Sequence, residues 1–205
     1  METLGKLFGS VQRIKLMRLF LMHPEGTFSP EEMYKKTKIK KETIKKDVQW
    51  LITSTVVKKQ NRITKTLKNT KKITIVYGLN PKCIFKDELF SILSTKNENI
   101  PETLKKRFAP TGTLELLIAS GFFMQDSESR IDLLIVGKKL KKQKIEEVVA
   151  KLESEIGREL TYAFFETGDF LYRAHMYDKL IRDIVDFSHI RIIDKNILSK
   201  IPQMT

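Results

Sequence analysis

The sequence predicts an α+β protein of two domains, on three observations. Apolar residues recur at helical spacing through Thr53 and then alternate as strands do, in two runs separated by a polar tip. The basic excess is confined to residues 1–82, which hold 19 Lys or Arg against 6 Asp or Glu. Residues 111–205 hold 14 against 15 and break into short apolar runs around one long amphipathic helix. The expected organisation is a basic domain over 1–82, a helical connector over 83–110 and a neutral mixed-sheet domain over 111–205.

Composition narrows the class. Hydrophobic residues make up 41% of the chain and charged residues 31%, enough apolar content for packed cores rather than disorder. The longest uncharged stretches, Val48 to Val57 and Leu116 to Gln125, are too short to span a bilayer, so no membrane partner is expected. A single cysteine, Cys83, excludes an internal disulfide and a cysteine-rich zinc site. Met1-Glu2-Thr3 lacks the basic and apolar regions of a secretory signal, so the expectation is a cytoplasmic protein. The net charge of +13, carried by the first domain, points to a polyanion; the alternative is a lysine-rich solubility surface.

Ser10 is placed to cap a helix with apolar positions Val11, Ile14, Met17, Phe20 and Leu21, ending near His23-Pro24-Glu25-Gly26. Ser29-Pro30-Glu31-Glu32 is a capping-box arrangement with proline at the first helical position, opening a short helix toward Lys38. A third helix is expected from Lys41 to Thr53, with Ile44, Val48 and Leu51 on its core face. Val56 to Ile63 and Lys72 to Leu79 read as a hairpin. Three helices and a basic hairpin are the layout of a winged helix-turn-helix, whose third helix enters the major groove of duplex DNA. That placement turns Lys45, Lys46 and Gln49 outward, with Lys40, Lys41 and Thr43 at the leading end. Arg62, Lys65, Lys68, Lys71 and Lys72 would line the wing and reach phosphates. Trp50, on a flank of the helix, is expected against the hairpin. The third helix contains no arginine, so modest base discrimination is expected.

Leu7-Phe8-Gly9-Ser10 leading into Arg13-Ile14-Lys15-Leu16-Met17-Arg18-Leu19-Phe20-Leu21 resembles the opening of ArsR-like winged-helix proteins that carry a polymerase-beta-like nucleotidyltransferase domain. Tyr77-Gly78-Leu79-Asn80-Pro81 is similar to the end of their second wing strand. The resemblance runs from about Leu7 to Asp194. It implies a prokaryotic transcriptional regulator whose second domain is an enzyme relic.

In the connector, Phe85 to Leu93 reads as helical and Pro101 to Pro110 as a linking stretch. Beyond it, Leu114 to Ala119, Ile131 to Val136, Leu160 to Phe165 and Ile190 to Ile193 read as strands. Ile145, Val148, Val149, Leu152 and Ile156 mark a helix stopped by Gly157, and one or two helices are expected from Asp169 to Val185. The resemblance implies a Gly-Ser turn for triphosphate, an Asp-x-Asp strand and a later carboxylate, because two divalent metals need several carboxylate oxygens. This chain departs from that pattern. Ser120-Gly121 stands at the turn with Ala119 before it, Arg130 replaces the first acid, Asp132 matches the second, and Leu160 to Phe165 carries none. The expectation is no catalytic residue, no metal and no cofactor, with Ser120, Gly121, Arg130 and Asp132 as relic positions.

The functional expectation is therefore a regulator that binds double-stranded DNA as a homodimer, its second domain regulatory or dimerising. The alternatives are an active nucleotidyltransferase and an antitoxin-like module with a protein partner. His23, His175 and His189 fit no metal-ligand or catalytic spacing, and no P-loop, dinucleotide fingerprint or nucleophile elbow occurs.

Overall fold

The computed structural model describes residues 2–65, 71–94, 99–126 and 128–202. The chain is a mixed α+β protein with two separate sheets. It divides into two compact units, Met1–Lys96 with Lys151–Arg158, and Asn97–Ala150 with Glu159–Thr205. This division differs from one drawn at residues 82 and 110. Leu93, 1% exposed, belongs to the first core, so the helix before it goes with the first unit.

The first unit opens with α1 (Glu2–Leu7) and α2 (Val11–Met22). Nothing in the spacing of the first residues anticipates α1. Ser10 caps α2 by accepting the Arg13 N–H at 3.2 Å. Leu16, Leu19 and Phe20 are fully buried beside Ile14 and Met17, so α2 is enclosed nearly all round rather than on one stripe. Even Arg18 is buried, donating to the carbonyls of Leu93 and Glu155 at 2.9 Å each. Burial pushes its guanidinium below the ordinary arginine value, with the Glu155 charge opposing.

A two-residue strand β1 (Thr27–Phe28) leads to α3 (Pro30–Thr37). Ser29 and Glu32 complete the capping box: Ser29 Oγ accepts the Glu32 N–H at 3.3 Å, and Glu32 Oε2 accepts the Ser29 N–H at 2.6 Å. Lys38 ends α3 in the left-handed region at φ 57°, and α4 (Lys41–Thr53) starts three residues later. β2 (Val57–Lys65) and β3 (Lys71–Leu79) pair antiparallel from Val57 opposite Leu79 to Lys65 opposite Lys71. β1 lies on the free edge of β3, giving sheet order β1-β3-β2. It escapes sequence reading because two residues carry no period. α5 (Lys86–Leu93) follows.

The second unit contains α6 (Ile100–Phe108), β4 (Thr113–Ala119), β5 (Leu133–Lys138), α7 (Lys142–Ile156), β6 (Tyr162–Glu166), α8 (Thr167–His175), α9 (Lys179–Asp186) and β7 (Ile190–Asp194). The last turns of α7 fall within Lys151–Arg158 of the first unit. The stretch read as a link from Pro101 to Pro110 is largely the helix α6. Pro101 sits in its first turn, where a missing N–H costs nothing, and Leu104 and Phe108 bury its inner face. The sheet order is β6-β5-β4-β7, with β5 parallel to β6 and the other neighbours antiparallel. β5 is buried from Leu133 to Gly137, as a central strand must be. Gly157, at φ +90°, ends α7. A side chain there would press on the backbone of Arg18 and Leu19, which is why the stop signal is glycine.

Candidate nucleic-acid interface

α4 supplies the exposed surface. Its inner stripe is Ile44, Asp47, Val48 and Leu51, all buried. Glu42, Lys46, Gln49 and Thr53 repeat at i, i+4, i+7 and i+11 on the opposite face, and all four are exposed. Lys40, Lys41 and Lys45 are exposed as well, and Thr43 is half-buried on a flank. Lys40 occupies the N-cap without a side-chain cap bond, so the first N–H groups of α4 receive no capping oxygen from it. Lys41 lies 3.5 Å from Glu31, an exposed pair that water and salt largely screen. Lys40, Lys45, Lys46 and Glu42 have no ion-pair partner among the described residues.

The orientation of this face is set from behind by Arg13 of α2. Its Nη2 and Nε donate to Asp47 Oδ1 at 2.9 and 3.2 Å, its Nη1 donates to the Phe8 carbonyl at 2.7 Å, and its guanidinium lies 4.2 Å from the Trp50 ring centre. Trp50, expected against the hairpin, lies under the Arg13 guanidinium and stays 40% exposed. The sequence reading missed both Arg13 and Glu42. A helical wheel of α4 finds Glu42, because it lies opposite Asp47 and Leu51. No local pattern finds Arg13, whose partner is on another helix.

On the hairpin the expected phosphate contacts divide. Arg62 is half-buried. Its Nη1 donates to Glu32 Oε1 at 2.8 Å and its Nη2 donates to the Thr27 carbonyl and to Thr27 Oγ1, so part of its donor set is engaged inside the unit. Arg62 lies on β2, the strand expected for it, and the capping glutamate of α3 holds its guanidinium. Burial alone would raise the Glu32 carboxyl, but the Ser29 N–H and Arg62 outweigh it and hold it below the usual range. Lys71 is exposed opposite Lys65. Lys68 lies outside the described residues, as do the side chains of Lys65 and Lys72. Ile63 pairs across the strands with Ile73, and both are more than 60% exposed, with Ile75 43% exposed beside them.

In the second unit the positions that the resemblance singles out are engaged in local structure. Asp132, 4% exposed, accepts the Phe122 N–H on Oδ1 at 2.7 Å and the Thr161 N–H on Oδ2 at 2.8 Å. Gly121 sits at φ +49° directly over it, where an added Cβ would fall 2.6 Å from Oδ1. Ser120 is fully buried, with its Oγ 3.0 Å from Ser129 Oγ and donating to the Ser188 carbonyl at 2.7 Å. Arg130 pairs with Asp183 at 3.0 Å. The two-metal chemistry implied by the resemblance does not fit this donor set: the one matching carboxylate already holds two backbone amides. Among the described residues no group of three or more His, Cys, Asp or Glu is arranged to hold a metal ion. Nor does any described helix have the length and apolarity to cross a membrane.

Comparison with protein-family models, with curated proteins and with solved structures finds no match for this chain.

Proposed function

We propose that this protein is a DNA-binding transcriptional regulator of the winged helix-turn-helix kind. In this reading α3 and α4 form the helix-turn-helix, α4 enters the major groove, and the β2–β3 hairpin is the wing. The observation that carries it is the outer face of α4. Lys40, Lys45 and Lys46 project unpaired beside an N-terminus without a side-chain cap, which offers ammonium groups, amide N–H groups and a positive dipole end to phosphate. Gln49 and Thr43 add hydrogen-bonding groups that suit base edges.

The second unit, read as a nucleotidyltransferase-like relic, serves regulation or dimerisation and does not transfer nucleotides. The amide bonds on Asp132 and the salt bridge on Arg130 support that reading. Two half-sites and a dimer fit a basic module of limited contact area. The test is selection of bound duplexes from a random pool at near-physiological salt, with the mass of the complex measured on the best sequence. A defined motif bound by two chains is expected. A pool with no enrichment would overturn the regulator.

A second reading has one observation in its favour. The exposed Ile63, Ile73 and Ile75 on one hairpin face suit a protein contact better than a phosphate backbone. An antitoxin-like module would hold a stoichiometric protein partner on that face, and co-purification of that partner would be its mark.

A further inference from the structure

We propose that Glu42 is the specificity-determining residue of α4, accepting a hydrogen bond from the N4 amino group of a cytosine in the major groove. The inference rests on the DNA-binding reading above and deepens it. Glu42 opens the outward stripe in the first turn of α4, one turn before Lys46 and two before Gln49, and is exposed. It has no ion-pair partner among the described residues, although Lys41, Lys45 and Lys46 surround it in sequence.

A carboxylate set among the lysines weakens a surface that only gathers phosphates, since that charge repels the ligand the lysines attract. An ionised carboxylate has acceptors and no donor. In the major groove the amino donors are cytosine N4 and adenine N6, and adenine sets its N7 acceptor beside the amino group, which would repel a second carboxylate oxygen. Cytosine is therefore the base that Glu42 fits. Guanine O6 and N7 and thymine O4 present only acceptors and are rejected. Lys46, one turn further along the same stripe, suits a guanine acceptor pair nearby. Glu42 thus supplies discrimination by repulsion as well as attraction, in a helix that has no arginine to read guanine.

An acid in the first turn also favours the helix dipole, and that role predicts something different. A dipole contact changes the unfolding midpoint and leaves base preference alone.

The experiment compares the full-length wild type with Glu42→Gln and Glu42→Ala. Each is taken through selection from a random duplex pool, and affinities are then measured on the selected duplex and on single-base variants. Thermal unfolding of each protein is recorded alongside. The expected result is a cytosine position in the wild-type motif whose discrimination falls about ten-fold or more in both variants. Binding to unrelated duplex should tighten in both, because a repelling charge is gone. An enriched motif that is identical in the wild type and both variants overturns the role of Glu42 and leaves the DNA-binding reading standing, whatever the unfolding midpoints do. No enrichment by the wild type overturns both.

Discussion

Arg13 and Asp47 join α2 to α4 through a largely buried ion pair, Nη2 to Oδ1 at 2.9 Å, with the side chains 14% and 4% exposed. The pair fixes the rotation of α4 about its axis, and with it the residues that face outward. Asp47 Oδ2 has no hydrogen-bond partner among the described residues, so the carboxylate depends on Arg13 for its stabilisation. Replacing Arg13 with Gln should leave a buried charge uncompensated and cost about 3 kcal/mol in urea unfolding. Adding Asp47→Asn to that variant should recover part of the loss, because the stranded charge is removed with its partner. Equal stability of Arg13→Gln and the wild type would show that the pair does not position α4.

Two glutamates carry lowered carboxyl values and make the fold acid-sensitive. Glu32 is held below its ordinary value by the Ser29 N–H and Arg62 against the effect of burial. Glu115 is held low by the Thr167 hydroxyl at 2.7 Å and by Lys138 at 3.0 Å. A depressed carboxylate contributes stability that is present above its unfolded value, about 4.3, and is lost as pH falls through the lower folded value. Unfolding midpoints should therefore drop steadily below about pH 4.5. Glu32→Gln and Glu115→Gln should each lower the midpoint at pH 7 and flatten its acid dependence. A variant with the wild-type acid slope would remove that glutamate from the account.

The parts of this structure legible in sequence are those written in short-range chemistry. Ser29 and Glu32 announce α3 because a capping box spans four residues, and Ile44, Val48 and Leu51 orient α4 because its period is local. Gly157 marks its helix end for the same reason. α6 falls within the stretch read as a link from Pro101 to Pro110, where proline at a helix start is permissive. The partner of Arg62 is not legible, because a strand position does not name what its side chain meets. The capture of Arg62 depends on Glu32, thirty residues earlier in sequence, meeting it in space. The outward lysines of α4 were legible; the clasp that aims them was not.

Asp132 should behave as a structural residue. Its carboxylate ties the Ser120-Gly121 turn to the segment before β6 through the Phe122 and Thr161 amides. Asp132→Ala strands two amide donors and should cost about 2–4 kcal/mol by chemical denaturation. The wild type incubated with labelled nucleoside triphosphates, magnesium or manganese, and protein or nucleic-acid acceptors should yield no labelled product. Product that vanishes in a folded Asp132→Asn protein would make the second unit an enzyme.

Charge reversal separates a recognition face from a generally basic surface. Lys45 and Lys46 lie outward on α4 without ion-pair partners among the described residues, whereas Lys141 and Lys142 lie at the start of α7, where Lys142 faces Glu146 at 3.8 Å. All four are exposed lysines, so nonspecific attraction to a polyanion would treat them alike. If about four to six phosphates are neutralised per chain, log K should fall against log salt with slope of about −4 to −5. Lys45→Glu with Lys46→Glu removes two such contacts and adds repulsion at the groove. Affinity should collapse, and the slope should become shallower by about 2. Lys141→Glu with Lys142→Glu changes net charge equally and should leave both quantities near wild type. Salt titrations of the three proteins on one duplex make the comparison. Equal losses in the two double variants would remove α4 from the groove.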